Sequence, residues 1–193
     1  MRKYPKIFRI GTEETKEILT EPDDCIYIEE KIDGANVRFQ IQGGELVLGS
    51  RNVILDEPKH QWSKIYDYLF QRFKKMELIN EDGLICIPNS YVFFGEFCIK
   101  HSINYDWEKM PLFLGFDIWD EEKGIFLSAE KARYIFSKIG LEFVPIVDIL
   151  QVREISKIDE NMIPMSKFYN GKAEGIVLKN YNKQIFAKFV TES

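Results

Sequence analysis

Lys31-Ile32-Asp33-Gly34-Ala35-Asn36 stands between two alternating apolar runs, Cys25-Ile26-Tyr27-Ile28-Glu29-Glu30 before it and Val37-Arg38-Phe39-Gln40-Ile41 after it. Alternation with period two is the pattern of half-buried strands, so Lys31 falls at a strand end. Gly34 suits a turn through a positive φ or a close backbone approach, and Asp33 and Asn36 can tie their side chains to nearby backbone. A lysine held at a rigid strand-to-loop junction can act as a nucleophile once its ammonium loses a proton, which desolvation or neighbouring positive charge favours. The same residues also read as a β-hairpin with an Asp-Gly turn and a solvated lysine. Patches further along the chain bear on the choice.

The 193 residues, 45% apolar and 14% aromatic, are enough to bury one core and exclude a disordered chain, and we expect a single domain over residues 1–193. No apolar run approaches membrane-spanning length, and the opening Met1–Arg9 lacks the apolar stretch of a signal peptide. Cys25, Cys86 and Cys98 are odd in number, lack CxxC spacing and lie in apolar stretches where thiols pack as small hydrophobes. A reducing, cytoplasmic setting without a membrane is the expectation. With only His60 and His101 and no Cys/His cluster, a structural zinc site is not expected. The net charge of −5 argues against a generic basic coat for nucleic acid, yet five lysines fall between Lys167 and Lys188 against the single acid Glu174.

Taken in order, Thr12–Leu19 reads as a short helix capped at Thr12. Glu45–Leu48 should be a strand ending in Ser50-Arg51, where the guanidinium either caps the sheet edge in solvent or offers a planar fork to ribose or phosphate. Trp62, Ile65, Tyr66, Leu69, Phe70 and Phe73 have helical spacing and the look of a core stripe. Leu84–Ile87 is a candidate short strand. Ser90–Phe97 is a buried strand that delivers Glu96 to its rim, where a ribose, a metal or a structural lysine would satisfy the carboxylate. His101 follows in a polar loop, as a structural group or a substrate contact. Pro111–Trp119 is another buried strand, with Phe116 either core or a base-stacking ring. A helix should start at the cap Ser128 and stop at Gly140, and Val144–Leu150 should be an edge or irregular strand. Residues 151–171 carry no clear pattern. Glu174–Lys179 and Ile185–Val190 form a hairpin, which either exposes its lysines or brings Glu174, Lys179 and Lys188 to a shared site. Neither a Walker loop nor a Rossmann GxGxxG is present, so any nucleotide would be held by side chains and strand ends.

Together and in this order, from about residue 25 to residue 190, the patches resemble the covalent nucleotidyltransferase superfamily of ligases and mRNA capping enzymes. Lys31–Asn36 is similar to motif I (KxDGxN), Ser50-Arg51 to motif Ia, and Phe94-Gly95-Glu96-Phe97 to motif III. Gly115-Phe116-Asp117-Ile118 is similar to motif IIIa and Glu174–Lys179 to motif IV, while Lys188 falls where motif V belongs. Asn36, where capping enzymes and most DNA ligases carry arginine, points to the ATP-dependent RNA ligase branch, as does the segment running from Gly95 through His101-Ser102-Ile103 to Tyr105-Asp106.

The resemblance implies an α+β fold: an ATP-grasp-like nucleotidyltransferase (adenylation) domain with antiparallel sheets, flanking helices, the nucleotide in the cleft between sheets and no appended OB-fold. It implies ATP with Mg2+ or Mn2+, attack of Lys31 on the α-phosphate, a lysyl-AMP, transfer of AMP to a 5′-phosphate end, and sealing by a 3′-hydroxyl. By the family pattern Arg51 and Glu96 contact ribose or metal and Phe116 stacks on adenine. Glu174 holds the metal, Lys179 and Lys188 hold phosphates, and Glu29 or the backbone beside Lys31 reads the adenine edge. Asp33 and Asn36 shape the loop, Asn36 in the metal's outer shell. The strand partner would be RNA, with DNA or a nicked RNA/DNA duplex as alternatives. Two departures stand out. Motif V offers one lysine, Lys188, where two are usual, and the chain ends just after it, so that the expectation is either a minimal or truncated ligase or a partner protein that supplies the C-terminal surface. A DNA ligase core, a GTP-using capping enzyme and a non-catalytic nucleotide- or end-binding relative remain the alternatives.

Overall fold

A computed structural model of the chain describes residues 1–81 and 87–191. Its strands are β1 (Phe8–Arg9), β2 (Cys25–Glu30), β3 (Ala35–Gln42), β4 (Glu45–Ser50), β5 (Tyr91–Phe97), β6 (Phe113–Asp120), β7 (Ile125–Phe126), β8 (Glu142–Phe143), β9 (Ile146–Gln151), β10 (Gly175–Asn180) and β11 (Ile185–Val190). Two α-helices, α1 (Gln61–Glu81) and α2 (Ala129–Ile139), accompany them. The candidate strand at Leu84–Ile87 and the residue Cys86 fall on the stretch outside the described residues.

The chain divides into two compact units, and the hexapeptide crosses from one to the other between Asp33 and Gly34. β2 and β3 are therefore not partners in a hairpin: β2 pairs with β10 and β9, and β3 with β4 and β5.

The first unit comprises Met1–Tyr4, Gly34–Ile99 and Pro111–Phe143. Its mixed sheet runs β4-β3-β5-β6-β7, antiparallel throughout, with β8 added parallel to β6. The expected aromatic stripe packs as core: Ile65, Leu69 and Phe73 of α1 are buried with Val37, Phe39, Phe93, Phe97 and Phe113 of the sheet. The amphipathic α2 adds Ala132, Ile135, Phe136 and Ile139. It begins where Ser128 Oγ accepts the Lys131 N–H at 3.3 Å and ends at Gly140, whose φ of 82° a side chain would strain.

The second unit comprises Pro5–Asp33, Lys100–Met110 and Val144–Ser193. Its sheet runs β1-β11-β10-β2-β9, so the expected hairpin is β10 and β11, and the proline-led strand β9 lies at an edge. One face of this sheet is apolar, with Ile26, Ile28, Ile176, Leu178 and Ala187 packed on Ile18 and Val152. The expected helix at Thr12–Leu19 is only a single 3₁₀ turn, Glu13–Thr15. The Thr12 and Thr15 hydroxyls both donate to the Arg9 carbonyl, at 2.8 and 3.2 Å, and such local bonds compete with an α-helical ladder. Cys98 is buried, and burial pushes its thiol's pKa up, whereas Cys25 opens β2 and is exposed, contrary to the packing expected for it.

Candidate active site

The registers of the second unit's sheet decide which charges meet. Val177 stands opposite both Glu29 and Lys188, and Lys179 opposite both Tyr27 and Phe186. Since cross-strand partners share a face and side chains alternate along each strand, Glu29, Lys179 and Lys188 leave the sheet on the side away from the apolar core. β1, parallel to β11, adds Arg9 in register with Lys188.

Lys31 follows directly on β2, where its backbone N–H still donates to the Gly175 carbonyl at 3.0 Å. Its Nζ lies 2.9 Å from Glu174 Oε1, with side chains 26% and 33% exposed, so the pair is accessible. The other oxygen, Glu174 Oε2, is buried and accepts no hydrogen bond within the described residues. Glu29 and Lys179 form a separate pair at 2.8 Å, each side chain only 2% exposed. Lys188 is close enough to Lys31 to feel its charge. Burial lowers its proton affinity first, and then the charges of Lys31 and Arg9 do, with a smaller push from Lys6 and an opposing pull from Glu174. Lys188 is thus within electrostatic reach of three other cations, Lys31, Arg9 and Lys6, and of the Glu174 carboxylate.

The two carboxylates flanking Lys31 fix it in the fold. Asp33 is buried and accepts the backbone N–H groups of Ser102 and Ile103 at 2.7 and 2.6 Å, while His101 Nδ1 lies 3.0 Å from its other oxygen. The Asp33 N–H donates to Tyr105 Oη at 2.9 Å, and the burial of that phenol pushes its pKa up, keeping it protonated. Glu30, also buried, accepts from Ser166 Oγ at 2.7 Å and from the Lys167 N–H at 2.9 Å. Burial raises its pKa against those bonds. The segment it anchors runs directly into Glu174, so Glu30 ties the position of Glu174 to the strand carrying Lys31.

The remaining predicted residues lie in the first unit. Asn36 on β3 is registered opposite Glu96 on β5, which puts an amide and a carboxylate side by side on one sheet face. Asn36 Oδ1 is buried without a hydrogen-bond partner among the described residues. Gly34 is required here for close approach: a Cβ would sit 2.4 Å from the Phe97 carbonyl oxygen and 3.0 Å from Glu96 Cγ. Phe116 on β6 is half-buried with its ring 4.8 Å from that of Tyr4, whose hydroxyl donates to Asp117. Arg51 is exposed in the turn after β4.

Arg9, Glu30 and Tyr105 were missed by sequence reasoning. The basic opening of the chain was visible, but a two-residue parallel strand has no periodicity to read, and the partners of Glu30 and Tyr105 are separated from them by more than sixty residues.

The architecture is α+β, two sheets of mainly antiparallel strands with few helices, as expected. Among solved structures it is similar to a Naegleria gruberi RNA ligase with PPi, at 20% identity and TM-score 0.75, covering 99% of this chain and 56% of that one. Mutants of that ligase give a TM-score of 0.76 at 20% identity with ATP and Mn, covering 100% and 56% of the two chains, and 0.70 at 21% with AMP and Mn, covering 99% and 56%. The chain thus spans little more than half the length of these ligases. No curated protein matches it. The sequence profile of the RNA ligase family matches residues 24–190, and the chain belongs to that family.

Proposed function

We propose that both units together make up the adenylation domain of an ATP-dependent RNA ligase, with Lys31 as its nucleophile. The observation that carries this reading is Lys31 Nζ at 2.9 Å from Glu174 Oε1 at the end of β2, with Lys188 within electrostatic reach of Lys31 and Arg9 in register with Lys188. Lys31 Nζ, as the neutral amine, attacks the α-phosphorus of ATP. A P–N bond forms while the P–O bond to pyrophosphate breaks, and pyrophosphate leaves with the electron pair. Glu174 Oε1, 2.9 Å from Nζ, takes the proton that the nitrogen loses as the P–N bond forms. Lys188 and Arg9 receive the negative charge that develops on the leaving group. AMP then passes from Lys31 to the 5′-phosphate of an RNA end, and a 3′-hydroxyl displaces it to form the phosphodiester.

For a divalent ion, Glu174 Oε2 in the second unit is a hard oxygen donor, buried and without a hydrogen-bond partner among the described residues. Mg2+ or Mn2+ in such sites is commonly held by one or two carboxylates together with substrate phosphates. When bound, such an ion neutralises phosphate charge. Within the first unit, Asn36 and Glu96 stand side by side and by the family pattern would serve metal or ribose, with Arg51 for the ribose and Phe116 for the adenine. Asp33, with its hydrogen bonds to the 100–106 loop, would keep the nucleophile's loop in one shape.

The motif V gap is filled in this reading by Arg9. Arg9→Ala and Lys188→Ala should each slow adenylylation by about 10- to 100-fold, the size of one charged hydrogen bond. Single-turnover labelling rates against ATP concentration check this; a wild-type rate in Arg9→Ala would remove Arg9 from the site.

The reading itself is tested by incubating the protein with α-labelled ATP or GTP and a divalent metal, then looking for label that survives denaturing electrophoresis. Label from ATP is expected. Label from GTP alone would make it a capping-type enzyme, and no label from either would leave a nucleotide- or end-binding relative.

A further inference from the structure

We infer that unpaired RNA docks on an aromatic, basic surface that the loop 100–110 and the segment 164–172 build beside Lys31, with a base stacking on Trp107; this rests on the ligase reading above. Trp107 is 38% exposed, large for an indole. It is nevertheless oriented. Its Nε1–H donates to Asn104 Oδ1 at 2.8 Å, and the ring stands at 84° to that of Tyr105, 5.8 Å away. An indole has one donor, and here that donor is engaged within its own loop, so the feature left for a ligand is the π face.

Tyr105 joins this loop to the second segment. It is buried, and its ring meets Phe168 at 6.4 Å and Tyr169 at 5.6 Å, both nearly edge-on, while the Asp106 N–H donates to the Phe168 carbonyl. Lys100, Lys109, Lys167 and Lys172 are exposed on these two stretches, with His101. Of the acids, Asp106 is committed to the Glu108 N–H at 3.2 Å and to Lys109 at 3.5 Å, which leaves Glu108 exposed. In a chain of net charge −5 this is a local excess of cations with an oriented ring among them. That combination suits a single strand, whose phosphates meet lysines and whose bases present open faces; in a duplex those faces are already stacked. The surface is also continuous with the nucleophile. Asp33 and Glu30, on either side of Lys31, are the carboxylates that anchor residues 101–103 and 166–167. A strand held there places its end near the residue that carries AMP.

Anisotropy of a fluorescent, 5′-phosphorylated single-stranded RNA, and of the same sequence in a nicked duplex, tests this on the intact chain, with ATP labelling of Lys31 measured in parallel. Wild type should prefer the single strand. Trp107→Ala should lose about tenfold or more in single-strand affinity, and Trp107→Phe should recover most of it. Lys100→Ala and Lys172→Ala should each lower the salt slope by about 0.7, and all four variants should label like wild type. Equal single-strand binding by Trp107→Ala and wild type, unchanged salt slopes, or tighter binding of the nicked duplex would each overturn the surface. Absence of label in wild type would instead remove the ligase reading, and strand binding would still be read independently.

Discussion

Lys31→Ala is expected to abolish the transfer of label from α-labelled ATP to the protein, more than about a thousandfold down, because the amine that forms the P–N bond in the proposed reaction is gone. The physical case rests on how little else the substitution disturbs. The Lys31–Glu174 pair is a quarter to a third exposed, and ion pairs in such settings contribute about 0–1 kcal/mol to stability. The fold of β2 does not depend on the side chain either, since the Lys31 backbone N–H makes its bond to Gly175 whatever the residue. Thermal unfolding should therefore be close to wild type while labelling is lost. Lys31→Arg sharpens the test, because it keeps a cation opposite Glu174 but offers a guanidinium that stays protonated. If the arginine variant still labels, the acceptor is another residue and the assignment of Lys31 fails.

The strands around Lys31 were legible because alternation is local: β2, β3, β10 and β11 each show their period within six to eight residues. The helix α2 was legible for a similar reason, with a cap and a stop residue written at its ends. Pairing is a different matter. The hexapeptide reads as a turn whether its flanking strands pair with each other or enter different sheets, and the sequence holds no local signal that β2 pairs with β10, some 150 residues further on. The site followed the same divide. Motif residues could be named, but that Glu29 faces Lys179 while Glu174 faces Lys31 depends on register, where a slip of one residue would exchange the faces. Arg9 became visible only once β1 was placed against β11.

That divide gives the second large effect. Lys179→Ala should lower stability by about 3–5 kcal/mol, a fall in Tm of about 6–20 °C for a chain of this size. The lysine and Glu29 are paired at 2.8 Å with each side chain 2% exposed, and removing one partner leaves an uncompensated charge out of water. By sequence Lys179 was assigned to phosphates and Glu29 to adenine; those roles predict a different signature, slower labelling with an unchanged melting curve. The two can be separated by a double replacement. Glu29→Leu with Lys179→Met removes both charges at similar volume and should restore most of the lost Tm, since apolar replacement of a whole buried pair is often neutral. Labelling of the double variant then reads the nucleotide contacts alone. If Lys179→Ala melts like wild type, the buried pair is not what holds β2 to β10 at this point, and the lysine's charge must be facing the substrate.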